Sequence, residues 1–553
     1  MMDYPLLVHQ FLERASVFSP HKEIISREGD SAHRYTYADL TKRASRLSNA
    51  LAGLGVGKGA RVGPFAWNTY RHLEAYFAAP SMGAVLHTIN IRLFTEDLVY
   101  IINHAGDKVI LIDPDLVPIL EPLAPQLESV EHFIIMTDDR SFTTTLPSAH
   151  NYEDLLSGVS DEYSPARVGE NEPAGLCYTS ATTGRPKGVI YSHRGIVLHS
   201  MMAAQVDTIG FRERDVVLPI VPMFHANCWG VPYTSALVGA TQVLNGVRPD
   251  PEVICRLIDS EKVTLSLGVP TIWIGVLDHI GRSGRDYDFS SLREIVSGGS
   301  AVPISLIQAY KMKLDVNLIQ AYGMTEATPI ISYNRSTSGF DSYSDVDKLQ
   351  LAGTQGAMVP GLEMRLVDDE NNDIPWDGDQ RGELLFKGPW IADSYYNDPR
   401  TEETFIDGWY HSGDIASVSP EGYIQIGDRV KDMVKSGGEW ISSVDLETAI
   451  IGHPGVLEAA VIGIPHERWQ ERPLACVVAN SESQGKLDKA DVLDFIKDRF
   501  ASWWMPDDVV FIDEIPKTSV GKMDKMVLLE RYKDHELENY LVTSEDSGGV
   551  ISY

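Results

Sequence analysis

The chain has 553 residues, which is too many for a single hydrophobic core and predicts at least two domains. Its hydrophobic content of 43% and charged content of 23% are ordinary for a globular protein, and its formal net charge of −31 argues against nucleic acid or an anionic membrane surface as a partner. A ligand that carries phosphate would therefore need a locally basic, partly closed site, because salt screens the overall negative field beyond roughly 8–10 Å.

The cysteines and the chain ends bear on the compartment. Cys177, Cys228, Cys255 and Cys476 lack the paired spacing of a metal site, and so few in a large chain predict a reduced intracellular protein. The start, MMDYPLLVHQFLERA, has no basic region followed by an apolar one, and the end, GGVISY, is not a peroxisomal S-K-L address. With no long apolar run, the sequence predicts a cytoplasmic protein without an integral membrane segment.

Short apolar runs alternate with amphipathic segments of helical length through the first 330 residues. KVILID at 108–113 and DVVLPIVPM at 215–223 predict strands, and TYADLTKRASRLSNALAGLG at 36–55 predicts a helix. This alternation predicts an α/β fold in which stacked, mostly parallel sheets are covered by helices.

The character of the sequence changes in the last third of the chain. From about 350 to 428, shorter strands and turn clusters such as DDENND predict a small β-rich subdomain. Beyond it, LETAIIGHPGV reads as a helix with a stop signal and AAVIGIP and LACVVAN as strands. We place the domain boundary close to Arg429, which gives an N-terminal domain at 1–428 and a small α+β C-terminal domain at 429–553.

The stretch YTSATTGRPKG at 178–188 combines hydroxyl side chains, glycines and a lysine, a composition suited to a phosphate. It is not a Walker P-loop, which has a glycine immediately before the lysine, whereas Pro186 precedes Lys187 here. The alternative is a polar surface loop between strands. The candidate nucleotide-binding residues in this stretch are Thr179, Ser180, Ala181, Thr182, Thr183, Gly184 and Lys187.

Two further stretches have the chemistry of a nucleotide site. In QAYGMTEATP, the ring of Tyr322 can stack on a purine, Thr325 can donate to a phosphate, and Glu326 can give Mg²⁺ a hard oxygen ligand. The alternative is a strand, a turn and a capped helix. SGGSAVP ends a strand in bare backbone, which lets a flat base approach closely, although a plain turn would look the same. The candidates are Gly298, Gly299, Ser300, Ala301, Gln320, Ala321, Tyr322, Gly323, Met324 and Thr325.

Three more stretches follow towards the end of the chain. GWYHSGD places Asp414 after a turn, where a carboxylate can accept hydrogen bonds from both hydroxyls of a ribose. DRVKDMVKSGG holds Arg429, Lys431 and Lys435 in a short span near the predicted boundary. PKTSVGK ends at Lys522, behind a glycine, although a lysine in a loop is usually just solvated. None of the three indicates a function by itself.

In this order and spacing the six stretches resemble the adenylate-forming enzymes, which include acyl-CoA synthetases, luciferases and the adenylation domains of peptide synthetases. The resemblance runs from about residue 35 to about 530. Within it, the segments at 68–93 and 435–447 look most similar to the medium- and long-chain fatty-acyl-CoA synthetases. The resemblance implies that the protein activates a carboxylic acid with ATP and Mg²⁺, transfers the acyl group to CoA, and forms a homodimer.

The resemblance also implies the roles of catalytic residues. Thr182 and Glu326 would hold Mg²⁺. Lys522, delivered by a C-terminal domain that rotates between the two half-reactions, would bridge the acid and the α-phosphate. Lys431 lies at the hinge position, and Lys435 would help to hold the phosphates of the adenylate or of CoA. One departure from the family is Ala181, which stands where the family usually has glycine.

The binding of the nucleoside follows from the same resemblance. Tyr322 and the backbone at 298–301 would carry the adenine, with Gln320 nearby. Asp414 and Arg429 would hold the ribose.

The resemblance implies fewer contacts for the acid than for the nucleotide. His225 would lie beside the carboxylate, although a lone histidine among apolar residues is more often a packed core residue. Trp229 and Val231 would line the acyl pocket. Trp440 would gate a fatty-acid tunnel, or it would pack at the domain interface. A short-chain or methylthio-alkanoate acid is the alternative substrate, and a luciferase-like oxygenase is a remoter alternative.

A binding or regulatory protein that has lost catalysis is a hypothesis of a different class. Such a protein would be expected to lack at least one of Lys187, Glu326 and Lys522, and the sequence retains all three.

Overall fold

The computed structural model describes residues 1–179, 185–429, 433–436, 439–466, 469–480, 483–518, 523–533 and 535, without the side chains of residues 428, 429, 439 and 440. The chain divides into two compact units, the first formed by Met1–Ile426 with Thr518 and the second by the described residues of 427–517 and 523–535. Both units combine strands and helices, so the predicted α/β fold with a separate C-terminal domain is confirmed.

The largest sheet within the described residues has fourteen strands and belongs to the first unit. Six consecutive strands of it are parallel, and the strands on either side of this block are antiparallel. In spatial order they are Glu363–Val367, Gly382–Lys387, Trp409–Val418 with Phe405–Ile406, Tyr423–Arg429, Gly356–Met358, Ile330–Tyr333, Asn317–Gly323, Glu294–Gly298, Leu265–Gly268, Val216–Pro219, Thr241–Leu244, Glu23–Glu28 and Ser31–Thr36. The β-rich segment after residue 350 thus continues this sheet.

Two smaller sheets complete the described strands. The seven-stranded sheet of the first unit is parallel except at its last pair, and its spatial order is Ala149–Asn151, His132–Ile135, Asp107–Ile112, Arg61–Phe65, Val85–His87, Pro173–Tyr178 and Gly188–Ser192. The sheet of the second unit runs Glu439–Ile441, Val434–Ser436, Gln470–Ala479 and Val456–His466, with Asp508–Phe511 paired to the third of these.

Helices cover the sheets. The first unit has helices at His9–Phe18, Tyr37–Gly53, Tyr70–Ser81, Thr95–Ala105, Val117–Leu120, Tyr152–Ser157, His193–Ala203, Val231–Val238, Pro251–Ser260, Pro270–Ser283, Ile304–Leu314, Asp345–Ala352 and Thr401–Thr404. Its 3₁₀ turns lie at Pro114–Leu116, Ala124–Gln126, Ala226–Gly230, Thr325–Ala327 and Ser338–Phe340. The second unit has helices at Ser443–Ile451, Lys489–Ile496 and Lys525–Tyr532 and a 3₁₀ turn at Ser502–Trp504. Among the described helices, none combines the length and apolar character needed to cross a bilayer.

The core of the first unit lies on both sides of the helix Tyr70–Ser81. Every residue from 70 to 80 of this helix is buried, as expected for a helix enclosed by other elements on all sides. The helices His193–Ala203 and Val231–Val238 contribute to the same apolar cluster. The carboxyl ends of parallel strands are the usual place for a ligand in such a fold, and the candidate residues at 298–301 and 320–325 lie there.

Candidate active site

The two ends of the candidate phosphate loop are joined by hydrogen bonds. The strands Pro173–Tyr178 and Gly188–Ser192 pair antiparallel on either side of it. The N–H of Thr179 donates to the carbonyl of Lys187 at 2.9 Å, and the N–H of Lys187 donates to Oγ1 of Thr179 at 3.2 Å. Ser180, Ala181, Thr182, Thr183 and Gly184 lie outside the described residues, so their predicted roles remain predictions.

A tyrosine links the lysine of this loop to the candidate metal ligand. Nζ of Lys187 donates to the hydroxyl of Tyr395 at 2.7 Å and lies 4.1 Å from the centre of its ring. The Tyr395 hydroxyl donates to Oε1 of Glu326, also at 2.7 Å. Glu326 is buried, and burial together with this carboxylate raises the pKa of Tyr395. A cation, a neutral hydroxyl and a carboxylate are thus connected in series.

The candidate adenine site consists of two strand ends held in register. Gly298 lies opposite Ala321, and a Cβ added to Gly298 would come within 2.5 Å of the Ala321 carbonyl oxygen. The N–H of Val302 donates to the buried side chain of Gln320 at 3.1 Å, which ties the turn after Gly298 to the neighbouring strand. Gly299 has φ of +87°, a conformation that favours glycine. Ser300 and Ala301 follow it and are exposed.

The strand of Ala321 and its exit turn carry the remaining nucleotide candidates. Gly323 closes the strand, and an added Cβ there would lie 2.1 Å from the carbonyl oxygen of Pro329. The N–H of Met324 donates to the same carbonyl at 2.9 Å. The carbonyl of Thr325 accepts a hydrogen bond from the hydroxyl of Tyr191 at 2.7 Å. The turn that presents Glu326 is therefore fixed by main-chain contacts.

The predicted adenine-stacking and ribose-binding residues contact each other. The hydroxyl of Tyr322 donates to Oδ2 of Asp414 at 2.5 Å, although the two residues lie 92 positions apart. Asp414 is buried, and its N–H donates to the Ser412 hydroxyl at 3.1 Å. A purine next to the Tyr322 ring would place its ribose within reach of this carboxylate.

The candidate acid-binding residues follow the strand Val216–Pro219. His225 and Trp229 are half-buried and Val231 is buried. Trp229 is close to the candidate adenine site, because a Cβ added to Gly298 would lie 3.5 Å from its Cη2 atom. The predicted acid and adenine sites are therefore adjacent.

Two residues of the helix region at 68–76 fix the segment that leads to His225. The side-chain amide of Asn68 donates to the carbonyl of Val221 at 2.9 Å and accepts from the N–H of Met223 at 2.7 Å. The hydroxyl of Tyr76 donates to the carbonyl of Met223. The motif at 68–93 that carries the family resemblance thus contributes to the acid side of the site.

Two of the remaining candidates, Lys435 and Trp440, belong to the second unit. Lys435 is exposed, and its N–H donates to Oε2 of Glu471 at 2.9 Å. Trp440 pairs with Lys435 across two strands, but its side chain, like that of Arg429, lies outside the described part of the structure. Lys431 and Lys522 lie outside it as well. The roles predicted for these residues stay predictions.

The potential metal ligands of the first unit suit a metal ion that binds together with the nucleotide. No group of three or more His, Cys, Asp or Glu side chains in the described part of the chain could hold an ion by itself. The buried carboxylate of Glu326 is connected to Lys187 through the hydroxyl of Tyr395. Mg²⁺ typically takes one or two protein ligands and completes its shell with phosphate oxygens and water. The residues present therefore fit Mg²⁺ bound together with ATP.

Comparison with known proteins identifies this combination of fold and site as that of an adenylate-forming ligase. The model of the AMP-binding enzyme family matches residues 12–396, and that of the AMP-binding enzyme C-terminal domain matches residues 445–522. The chain belongs to the AMP-binding enzyme family, and within it the chain is an acid–thiol ligase. The family and the enzyme class predicted from the sequence are thereby confirmed.

Individual relatives cover nearly the whole chain. A long-chain-fatty-acid–CoA ligase of Thermus thermophilus is 46% identical, over 97% of both chains. A 3-methylmercaptopropionyl-CoA ligase of Ruegeria lacuscaerulensis is 41% identical, over 97% of this chain and 98% of its own. The crystal structure of an anthranilate CoA ligase with anthranoyl-AMP has a TM-score of 0.85 at 27% identity and covers 96% of this chain and 98% of its own.

The sequence reasoning missed two kinds of residue. Tyr395 lies in YYNDPR, a stretch with no pattern beyond that of a turn. Asn68 and Tyr76 lie in a motif that indicated the family without indicating any contact. All three act through long-range hydrogen bonds, which no local spacing reports.

Proposed function

We propose that the protein is an ATP-dependent ligase that activates a medium- or long-chain fatty acid as an acyl adenylate and transfers the acyl group to CoA. The observation that carries this proposal is the convergence of separate motifs in the first unit. Lys187 is connected to Glu326, and Tyr322 to Asp414, by hydrogen bonds between segments far apart in the sequence. Adenylation needs a cation that binds phosphate, a carboxylate that binds a metal ion, and a site for the nucleoside.

The reaction has two steps. In the first, a carboxylate oxygen of the acid forms a bond to the α-phosphorus of ATP, and the bond to the β-phosphate oxygen breaks to release pyrophosphate. In the second, the CoA sulfur bonds to the acyl carbon, the bond from that carbon to the bridging anhydride oxygen breaks so that AMP leaves with this oxygen, and the thiol proton passes to solvent. No covalent enzyme intermediate forms, so catalysis rests on alignment and charge stabilisation.

The first step brings together the negative charges of the ATP phosphates and of the acid, which positively charged groups must stabilise. Lys187 contributes a positive charge next to the phosphates, and Lys522 bridges the acid and the α-phosphate. Glu326 and Thr182 would hold Mg²⁺, which would supply positive charge to the phosphates when bound. Tyr322 with the backbone at 298–301 carries the adenine.

A movement of the C-terminal domain separates the two steps. The C-terminal domain rotates about a hinge at Lys431, which withdraws Lys522 after adenylation. Arg429 contacts the ribose, and Lys435 contacts the phosphates of the adenylate or of CoA. The homodimer and the cytoplasmic location predicted from the sequence stay predictions.

The acid is proposed from the relatives and from the residues around His225. The 46% identical relative is named for long-chain fatty acids, and Trp229 and Val231 would offer apolar surface to such a chain. The second candidate is a short methylthio-alkanoate, which the 41% identical relative supports. Each added methylene changes binding by about 1–3 kcal/mol, a factor of roughly 10–200, so acids that differ by one or two carbons should be told apart in the assay.

Pyrophosphate release from Mg²⁺ and ATP tests the proposal. It is measured over straight-chain acids from three to eighteen carbons and over 3-methylthiopropionate, each with and without CoA. A preference for medium or long chains, with sustained release only when CoA is present, is the expected result. A preference for the three- to five-carbon acids or for the methylthio acid would favour the second candidate. Release in the presence of O₂ without CoA would indicate the oxygenase alternative.

A matched pair of variants tests the assignment of the acid site. Trp229→Ala enlarges the proposed pocket and should shift the preferred chain length by two carbons or more. Trp376→Ala removes a tryptophan that is 40% exposed and should leave the preference unchanged. An unchanged preference in Trp229→Ala would remove this residue from the acid site.

A further inference from the structure

The segment at 390–400, called here the bridging segment, connects the two charged parts of the nucleotide site. On one side it contacts the exit of the phosphate loop. The N–H of Tyr396 donates to the carbonyl of Gly188 at 2.8 Å, and Nη1 of Arg400 donates to the carbonyl of Arg185 at 3.0 Å. Both are main-chain acceptors just before and after Lys187, so the segment fixes the backbone that carries this lysine.

On its other side the bridging segment contacts the turn that presents Glu326. The N–H of Ala392 donates to the carbonyl of Glu326 at 2.7 Å. The carbonyl of Trp390 accepts a hydrogen bond from Oγ1 of Thr328 at 2.8 Å, and the Trp390 indole N–H donates to the carbonyl of Ile330 at 3.1 Å. The same eleven-residue segment therefore fixes the backbone of both charged residues.

Tyr395 is held rigidly within this segment. Its N–H donates to Oγ1 of Thr401 at 3.0 Å, and that hydroxyl donates to the carbonyl of Asp398 at 2.8 Å. Its ring packs edge-on against Phe405, with the ring centres 5.2 Å apart, and only 4% of the residue is exposed. The hydroxyl of Tyr395 thus has a fixed place between Nζ of Lys187 and Oε1 of Glu326.

A lysine and a glutamate in a partly buried site attract each other strongly, and a direct ion pair between them would neutralise both. The hydroxyl between Lys187 and Glu326 accepts from the ammonium and donates to the carboxylate, so both keep a hydrogen bond while a direct contact is blocked. The lysine can then meet the phosphates, and the carboxylate can meet the metal ion that accompanies them.

We propose that Tyr395 is a positioning residue that holds the Lys187 ammonium and the Glu326 carboxylate apart and in place for Mg²⁺ and ATP. This inference rests on the proposed function only in taking ATP with Mg²⁺ as the ligand, and it is independent of the acid. Tyr395 contacts no reacting atom in this assignment, because it acts through its two charged neighbours.

The test measures ATP binding by calorimetry in Mg²⁺ and in EDTA for the full-length wild type and for Tyr395→Phe. The variant keeps the ring and loses only the hydroxyl. Affinity in Mg²⁺ should fall about tenfold or more, which corresponds to about 1.4 kcal/mol, and the fall in EDTA should be smaller because only the lysine contact then matters. The concentration of Mg²⁺ that half-activates pyrophosphate release should rise in parallel.

Two comparisons separate positioning from a general loss of structure. Tyr163→Phe removes the hydroxyl of a half-buried tyrosine outside the bridging segment and should bind within twofold of wild type. Thr401→Val removes the acceptor for the Tyr395 N–H and leaves the Tyr395 hydroxyl in place. If Tyr395→Phe lowers the melting temperature, Thr401→Val gives a variant of similar instability that should keep most of the affinity for ATP with Mg²⁺.

A double-mutant cycle with Glu326→Gln identifies the path of the effect. If Tyr395 acts through the carboxylate, the loss caused by Tyr395→Phe should shrink to threefold or less in the Glu326→Gln background. Binding of Tyr395→Phe within twofold of wild type, or an undiminished loss in the Glu326→Gln background, would overturn the proposal. A wild type that binds no ATP in Mg²⁺ would instead contradict the proposed function.

Discussion

The close approach of two strands at Gly298 gives a sharp test of where the adenine binds. Gly298 ends the strand Glu294–Gly298 opposite Ala321. A methyl group at this position would lie 2.5 Å from the Ala321 carbonyl oxygen, whereas contacts below 3.0 Å are essentially never made by a real Cβ. Because the obstacle is a backbone atom, no rotamer change removes the clash. In Gly298→Ala the two strand ends must separate by about half an ångström or more.

This separation should affect both stability and nucleotide binding. Overpacking of this kind costs about 1–3 kcal/mol of the free energy of unfolding. The same displacement moves the backbone at 298–301 away from the ring of Tyr322, and half an ångström is enough to weaken a stacked contact. We expect the KM for ATP in the ATP–pyrophosphate exchange assay to rise about tenfold and the melting temperature to fall by several degrees.

Gly281→Ala is the matched control. Gly281 lies in the exposed part of the helix Pro270–Ser283, and a Cβ there would meet no atom within 4 Å. Alanine in a helix stabilises by about 0.5–1 kcal/mol relative to glycine, so this variant should melt higher with an unchanged KM for ATP. If Gly298→Ala melts lower but keeps its KM, the strand contact is structural and the assignment of the adenine to 298–301 is wrong.

Three other predictions follow from buried groups. Tyr322→Phe loses the hydrogen bond to Asp414 and should raise the KM for ATP about tenfold, since bonds to charged groups contribute roughly 1.5–3 kcal/mol. Burial lowers the pKa of His72 and His193 to about 4 and that of His199 to about 3, from an unfolded value near 6.5. As the pH falls from 6.5 towards 4, the unfolded chain therefore binds protons before the folded protein does. Each histidine should then lower the free energy of unfolding by about 1.4 kcal/mol for each pH unit, which urea titration measures. The four cysteines are buried thiols, and burial raises the pKa of each, so Ellman's reagent should label none in the native protein and all four in urea.

Each of these has an outcome that contradicts it. An unchanged KM in Tyr322→Phe, with Phe340→Leu as a control for aromatic packing elsewhere in the first unit, would remove the hydroxyl from the nucleotide site. If the urea concentration at the midpoint of unfolding does not change between pH 6.5 and 5, the three histidines take up protons in the folded protein. Rapid labelling of one cysteine in the native state would show that its segment opens to solvent.

The sequence predicts much of the fold because its patterns are local. The helix expected at 36–55 is found at Tyr37–Gly53, where Thr36 and Asp39 form a capping box with bonds of 3.3 and 3.0 Å. The run at 108–113 forms most of the strand Asp107–Ile112. Periodicity and capping are properties of neighbouring residues, so they can be read without the structure.

The site was less accessible to the same reasoning. The sequence motifs indicate four candidate site residues, Lys187, Glu326, Tyr322 and Asp414. They do not indicate the contacts between them. Tyr395 gave no signal because its two partners lie 208 and 69 positions away in the sequence. A residue that works by connecting two motifs belongs to neither, and its role is visible only when the chain is folded.

The turn that follows His225 shows the same limit in its backbone. Residues 226–230, read as ANCWG, all have positive φ, from +42° at Ala226 to +74° at Gly230. Four of the five are not glycine, and left-handed backbone costs roughly 1–2 kcal/mol for each such residue. No local preference of alanine, cysteine or tryptophan would predict this turn. It persists only because surrounding contacts determine it.

Those contacts come from the seven-stranded sheet. Oδ1 of Asn227 accepts hydrogen bonds from Oγ1 of Thr88 at 3.3 Å and from the thiol of Cys177 at 3.1 Å. An added Cβ on Gly175 would lie 2.9 Å from the Asn227 amide nitrogen, so a glycine is needed for the turn to approach this sheet. Trp229, the residue that we propose lines the acid site, is thus held by strained backbone that another sheet fixes. Under the proposed assignment of Trp229, the choice of acid would depend on Asn227 and its partners as well as on the size of the residue at position 229.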